Sequence, residues 1–443
     1  MKNASKGRFW TAVSPILILL GLASWTVAGQ TEVYLNISKQ VNPKIKVLVP
    51  PFREQVPHPE TGASSLRKTM LKDLELSGLI TPLHEGEFLA EAQKSDLAAD
   101  RILFANCARF GAEVLLKVED FSTQSQRDFQ ATAYSLRDQN RLMAKRYKAP
   151  VAGQKKLVHT MANDLVRTLT GLEGIALSKI AFVSEATGYK ELYLMDYDGD
   201  NVRRLSTDRS LFLYPRWSPD TRDLVAVSYL RGKPYLCRIR VAQGSRSFLS
   251  TFPGLNSGGS YSPDGRSLAL TLSKDGNPEI YRLDLVDGSA HRLTRDSFLD
   301  SSPTWSPEGS RIAFVSNRSG SPQIYEMNAD GTKQHRISLQ GGYNTSPAWS
   351  PKGDFIAYCT LIGKNFQLYL LDTSSGTTYQ ITNDDRSNED PAWAPDGRHL
   401  VYSSSKNYRS DIFMIDIYDQ HPVQLTRHLG SCVSPSWSRN FSN

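Results

Sequence analysis

The sequence predicts a small N-terminal α/β domain followed by an all-β six-bladed β-propeller closed by the C-terminal strand. Three observations predict it. The phrase "PTWSPEG" at Pro303–Gly309 returns as "PRWSPD" from Pro215, "SYSPDG" from Ser260, "PAWSPKG" from Pro347 and "PAWAPDG" from Pro391, and a truncated "PSWS" starts at Pro435. Its aromatic anchors, Trp217, Tyr261, Trp305, Trp349, Trp393 and Trp437, stand 44 residues apart with no insertion or deletion, and a fixed period of this size marks a repeat architecture. The ends of the array are offset. The apolar run at Ile180 has no aromatic lead, because Glu173 stands at the equivalent position, whereas the lead at Trp437 has no strands after it. Six leads and six strand trios make six blades if the last lead completes the first blade, which leaves no exposed edge in the ring.

One repeat justifies the blade. After "WSPEG" come "SRIAFVS", "NRSGSPQ", "IYEMNADG" and "TKQHRIS". The apolar run, the alternating run and the short last run read as strands separated by Gly-, Asn-, Asp- and Pro-rich turns. With the segment through the aromatic, each unit has four strands, as a propeller blade requires. The register is carried by in-phase apolar sets: Ile180, Leu224, Leu268, Ile312, Ile356 and Leu400, then Leu205, Leu249, Leu293, Ile337, Ile381 and Leu425. A mostly aromatic set, Tyr193, Cys237, Tyr281, Tyr325, Tyr369 and Phe413, is expected to fill space between blades. In the Ser-Pro-acid-Gly phrase, Pro fixes φ and the acid and Gly suit a tight turn.

Residues 30–174 lack the period and predict the α/β domain; residues 175–443 hold the propeller. "IKVLVPPF" from Ile45 reads as a strand, and Ala63–Gly78 as an amphipathic helix ending at its Gly. "GAEVLLKVEDF" and "DFQATAYSLRD" read as paired strands, and "KKLVHTMANDLVRTLTG" as a second helix running to Gly171. Ahead of these, Lys2, Lys6 and Arg8 precede the apolar stretch Ser14–Trp25 and small residues near Ala28 and Gly29. Residues 1–29 therefore read as a secretory signal peptide, too short in its apolar run for a bilayer span. The mature protein is expected to be exported and soluble, with no membrane insertion of its own.

Composition excludes several function classes. The formal charge of +7 falls to +4 without the three leader cations, and no basic run with interleaved aromatics follows, so nucleic-acid binding is not expected. Cys107, Cys237, Cys359 and Cys432 form no C-x-x-C pair and have no His at zinc spacing, and read as free buried thiols. "DYDGD" at Asp196–Asp200 fails as a calcium loop, because Asn201 and Thr207 stand where that loop needs Gly and Glu; a blade turn is expected there. No G-x-S-x-G elbow, H-E-x-x-H or phosphate loop is present. No cofactor, metal site or catalytic residue is expected. The alternative is a propeller hydrolase or peptidase-associated module with channel acids such as Asp300 or Asp390 in its active site.

The pattern P-x-W-S-P-D-G, I-A-F-x-S, I-Y, R-L-T resembles the repeat of the TolB family, periplasmic components of the Tol-Pal envelope system. The same repeat occurs in propellers of prolyl oligopeptidase-like peptidases, which carry a hydrolase domain; six residues follow Trp437 here. Segments Glu32–Phe52, Leu66–Leu83, Gly111–Glu119 and Ala162–Ser184 resemble the TolB family in order. This resemblance implies a monomeric, non-enzymatic periplasmic adaptor serving outer-membrane integrity and constriction at cell division. It implies that a Pal-like peptidoglycan-associated lipoprotein binds the channel face, through residues just before each blade Pro: Asn256, Gly258, Asp300, Ser301, Ser302, Asn344, Thr345, Ser346, Asn388, Glu389 and Asp390. It implies that the mature N-terminus, Glu32, Val33, Tyr34, Leu35, Asn36 and Ile37, binds a TolA-like inner-membrane protein. The rim residues are expected in short exposed loops whose substitution leaves folding undisturbed. The sequence departs from the family pattern at Thr221, Arg240, Gly259 and Tyr261, most of them in or beside the repeat that carries Asn256 and Gly258.

Overall fold

The 44-residue unit folds into four antiparallel strands because its apolar runs alternate with turn residues at fixed offsets. The computed structural model describes residues 43–54, 63–83 and 111–441; the leader, Glu32–Ile37 and Cys107 lie outside them. Six four-stranded sheets follow one another, and the lead segment is the innermost strand of each: Cys432–Trp437 in blade 1, Phe212–Trp217 in blade 2, Asn256–Tyr261 in blade 3, Asp300–Trp305 in blade 4, Asn344–Trp349 in blade 5 and Ser387–Trp393 in blade 6. Blade 1 is the closure predicted from the offset ends: Cys432–Trp437 pairs antiparallel with Lys179–Ser184, Trp437 opposite Ile180.

The five lead Trp rings are 7–9% exposed, and two of their indole N–H groups bond to a neighbouring blade. Trp217 Nε1 donates to Ser436 O in blade 1 at 3.1 Å and Trp393 Nε1 to Ala348 O in blade 5 at 2.9 Å, so the anchors stitch blades together. Ile180, Leu224, Leu268, Ile312, Ile356 and Leu400 are fully buried. The aromatic set pairs across strands within a blade: Phe182–Tyr193, Phe314–Tyr325, Tyr358–Tyr369 and Tyr402–Phe413 have centroids 5.8–6.0 Å apart. In the Ser-Pro-acid-Gly turn the Gly N–H returns to the Ser carbonyl, as from Gly309 to Ser306 at 3.0 Å. That Gly sits at φ +77°, where a side chain is strained, and Thr221 adopts φ +61° at the equivalent place in blade 2. Cys237, Cys359 and Cys432 are free and buried, and burial pushes the Cys237 and Cys432 thiols up to about 11.

Among the described residues the N-terminal part is one mixed sheet under two helices. Its strands are β1 (Ile45–Leu48), β2 (Arg53–Glu54), β3 (Ile80–Leu83), β4 (Val114–Asp120), β5 (Gln126–Ser135) and β6 (Arg141–Pro150), ordered β3-β1-β4-β5-β6 with β2 beside β4. Helices α1 (Ala63–Leu76) and α2 (Gln154–Thr170) bury Met70, Leu74, Val158, Met161 and Leu165 against Val47, Val118, Phe129 and Ala131. Helix α2 ends as predicted: Gly171, at φ +72°, donates its N–H to Arg167 O.

This layer seats on one end of the propeller, and the acids of "DYDGD" are part of the seat. Lys72 Nζ bonds Asp198 Oδ2 at 2.8 Å, Lys155 Nζ bonds Asp200 Oδ2 at 2.5 Å, and Lys44 Nζ bonds Asp419 Oδ2 at 2.7 Å. Between the lysines lies a buried triad: Asp73 Oδ2 is 2.8 Å from His159 Nδ1, and Asp73 Oδ1 accepts Tyr197 O–H at 2.6 Å. Burial works to lower the His159 pKa, but the hydrogen bond and charge of Asp73 outweigh it and hold the imidazole above its ordinary value. All these contacts fall on the end bearing the turns between first and second and between third and fourth strands. The opposite end, where the inner strands begin, carries none of them among the described residues.

Candidate partner-binding channel

Each inner strand breaks register once, and the break aims its residues at the axis. The pairing shifts between Leu213 and Arg216, Ser257 and Ser260, Ser301 and Thr304, Thr345 and Ala348, Glu389 and Ala392, and Val433 and Ser436. Inside each bulge one residue takes a left-handed conformation: Tyr214, Gly258, Ser302, Ser346, Asp390 and Ser434, with φ between +51° and +64°. A non-Gly residue there costs conformational energy, and it is held because the ring fixes both neighbours. Five of these six residues, all but the buried Ser434, line a central cavity of about 440 Å³.

The proposed rim residues divide three ways. Gly258, Ser302, Thr345, Ser346 and Asp390 line the cavity. Ser301 and Glu389 are half-buried beside it; burial and the neighbouring Asp390 raise the Glu389 pKa while the Ser387 hydroxyl opposes them. Asn256, Asp300, Asn344 and Asn388 are 0% exposed. The expectation of short exposed loops is thus corrected: these segments are bulged inner strands, and the first residue of each bonds inward. Asn344 Nδ2 donates to Gln323 Oε1 and Gln340 O, both at 2.7 Å. Asn388 Nδ2 donates to Gln367 Oε1 at 3.1 Å, so the amides tie successive blades. Substituting Asp300 is therefore not neutral for folding.

Asp390 organises the mouth. Its Oδ1 accepts the Ser346 hydroxyl at 3.1 Å and its Oδ2 the Ser434 hydroxyl at 2.9 Å, bridging blades 5, 6 and 1. Tyr214 and Arg216 also line the cavity. Burial raises the Tyr214 pKa with Asp390 adding to it, and lowers that of Arg216, which Asp390 partly offsets. Sequence reasoning missed Tyr214, Arg216 and Ser434, although Tyr214 and Ser434 stand in phase with Gly258 and Ser302 and needed only the period to be found. Glu32–Ile37 lie outside the described residues. Among the described residues no helix is long and apolar enough to cross a membrane.

A closed six-bladed propeller with an α/β layer on one end and an open polar channel mouth on the other defines a two-part propeller protein. A family model described as the TolB beta propeller domain matches residues 166–441, and one described as the TolB amino-terminal domain matches residues 33–140. The chain belongs to the TolB family. It is 35% identical over 216 residues to the Tol-Pal system protein TolB of Syntrophotalea carbinolica, covering 48% of this chain and 49% of the relative. To that of Desulfosudis oleivorans it is 33% identical over 223 residues, covering 50% and 51%. The chain spans about half the length of these curated relatives that it matches. The crystal structure of TolB from Acinetobacter baumannii matches with a TM-score of 0.77 at 25% identity, covering 89% of this chain and 97% of that one.

Proposed function

We propose that the protein is a non-enzymatic periplasmic adaptor of a Tol-Pal system, exported by cleavage within residues 1–29 and working as a monomer. Its channel mouth receives a Pal-like peptidoglycan-associated lipoprotein, and Glu32–Ile37 engage a TolA-like inner-membrane protein, in support of outer-membrane integrity and cell division. The supporting observation is the polarity of the molecule. The α/β layer takes up the turn-bearing end, while the other end offers a rigid ring of six in-phase bulge residues around a polar cavity, and rigid scaffolds presenting short polar segments suit recognition. The names of the related proteins agree with this reading.

Calorimetric titration with the soluble domain of the cognate lipoprotein tests it. Thr345→Trp, which fills the mouth from a half-buried position with ordinary backbone, is expected to weaken binding at least about tenfold, or ~1.4 kcal/mol. Asp264→Lys, in a turn at the other end, is expected to leave it unchanged. The reverse pattern would place the partner on the wrong end of the propeller.

A further inference from the structure

One side of the channel mouth departs from the repeat in shape and in charge. In blades 1 to 4 the second and third strands are six residues long; in blades 5 and 6 they are eight, Phe355–Ile362 with Asn365–Asp372 and His399–Lys406 with Arg409–Asp416. No residues were added, since the period stays 44. The six connecting residues have zipped into two further rungs and a two-residue turn, which lengthens each hairpin by roughly 7 Å at the mouth end. At the blade 6 tip Asn407 and Tyr408 take φ +53° and +63°, the two left-handed residues of a tight hairpin turn. Gly188, Gly232, Gly276 and Gly320 stand in phase with Tyr408, all at positive φ. An aromatic residue thus holds a conformation suited to Gly, with its ring fully exposed (106%).

Beside this tip lies a pocket of about 370 Å³ lined by Arg386, Lys406, Arg409, Arg427 and His428, with Asp411 as its one acidic lining residue. Arg386 is anchored: its Nε donates to Ser404 Oγ at 2.7 Å and its guanidinium stacks 5.1 Å from the Phe413 ring centre. Lys406 pairs with Asp385 at 2.6 Å, and Arg409 reaches only to 4.0 Å from Asp411. Arg409 and Arg427 are exposed. His428 is in phase with Asp208, Asp296 and Asp384; Asp208 and Asp296 pair with Arg246 and Arg318, and Asp384 Oδ1 accepts from Asn388. His428, like the in-phase Phe252 and Gln340, supplies no acid, and Arg427 before it adds a cation.

We infer that the blade 6 hairpin and this cationic pocket form a docking subsite for an acidic, carboxylate-bearing loop of the protein partner, with Tyr408 entering an apolar hollow beside those carboxylates. Arg and Tyr are the residue types that dominate binding energy at interfaces, and a basic pocket at a mouth speeds the encounter with an acidic partner. The inference rests on the channel-face reading of the partner site.

The test is titration of the full mature chain with the soluble domain of the cognate Pal-like lipoprotein, at low and high salt. Arg409→Glu/Arg427→Glu is expected to weaken binding about tenfold or more at low salt, with a smaller loss at high salt. Binding to this variant is expected to return when acidic residues of the lipoprotein are changed to Lys. Tyr408→Gly restores the residue that four blades use, so it is expected to keep or raise the melting temperature while weakening binding several-fold; that combination separates docking from folding. Wild-type affinity in both variants would overturn the subsite and leave the channel reading standing, whereas no binding by the wild type would overturn both.

Discussion

Asp300→Asn is expected to stabilise the protein, and increasingly so as pH rises. Asp300 stands in phase with Asn256, Asn344 and Asn388, and its neighbour Glu279 with Gln323 and Gln367. Where the next two blade junctions join amide to amide, Asn344 to Gln323 and Asn388 to Gln367, this one sets two carboxyl groups together, both 0% exposed. Oxygens of Glu279, Asp296 and Asp300 lie within 4.8 Å of one another. Guanidiniums answer part of that charge: Arg292 Nη2 donates to Glu279 Oε1 at 2.6 Å, and Arg318 Nη2 reaches Asp296 Oδ2 at 2.8 Å and Asp300 Oδ2 at 2.7 Å. Asp300 Oδ1 meets no donor in hydrogen-bonding geometry. Burial raises the Asp300 pKa, Asp296 adds to it, and Ser316 and Arg318 only partly oppose it.

The sign follows from that direction. A carboxyl with a raised folded-state pKa contributes its full stability in acid and loses it as pH rises through the folded value. Asparagine does not titrate, and its Nδ2 can donate to Glu279 as Asn344 donates to Gln323. A hydrogen bond to a charged acceptor contributes about 1.5–3 kcal/mol; against it stands the loss of one of the two carboxylates on Arg318, which keeps Asp296. A net gain of about 1–2 kcal/mol at neutral pH is expected, shrinking towards the ordinary aspartate range near about pH 4. Urea unfolding of both proteins across that range reads the effect as a shift in midpoint at constant slope. A midpoint lowered at every pH, or a gain indifferent to pH, would refute the reasoning.

Three further outcomes are expected. Removing residues 433–443 takes the inner strand from blade 1 and bares the edge of Lys179–Ser184; calorimetry should show loss of the cooperative transition or aggregation, and an unchanged melt would remove strand closure as the basis of the ring. Trp305→Ala should cost about 3–5 kcal/mol, because its ring is 8% exposed between blades; an unaltered denaturation midpoint would contradict that packing. His159, held above its ordinary pKa by Asp73 and faced by Tyr197, Asp196 and Asp198, contributes most below the ordinary imidazole value and loses that share as pH rises through the folded one. Melting temperature should therefore fall as pH rises above the ordinary imidazole value of about 6.5 in the wild type and less so in His159→Gln, and parallel profiles for the two would dismiss the pair as a source of pH dependence.

The ring was legible because the period is unbroken: in-phase apolar positions, Ser-Pro-acid-Gly turns and the unmatched ends at Glu173 and Trp437 each have one structural solution. The mouth was half legible. Asn256, Asp300, Asn344 and Asn388 precede a Pro or Gly within three residues and are polar, so in one dimension they look like loop. Only pairing shows that two residues oppose one at the bulge, which turns the first polar residue inward and the left-handed one to the axis. Tyr214 stands in phase with Gly258 and Ser302, so the period alone places it at the cavity, although an aromatic ring by itself reads as core. The salt links of Asp198 and Asp200 to Lys72 and Lys155 join segments 126 and 45 residues apart, a pairing no local pattern carries.

A perfect repeat also supplies its own standard for function. Where a position holds the same chemistry in every blade, the fold accounts for it. Where one blade differs and its stability suffers, the fold does not, and such local violations are expected at functional sites. Tyr408 strains a turn where four blades carry Gly, Arg427 and His428 place a cation and no acid beside the pocket, and Arg216 occupies the axial position that Ser260, Thr304, Ala348, Ala392 and Ser436 keep small. Tyr408 and His428 belong to blade 6 and its junction with blade 1, the junction where Asp390 bonds Ser434. Chain closure makes that junction the meeting place of the first and last repeats, and the α/β layer seats beneath the same two blades through Asp198 and Asp419.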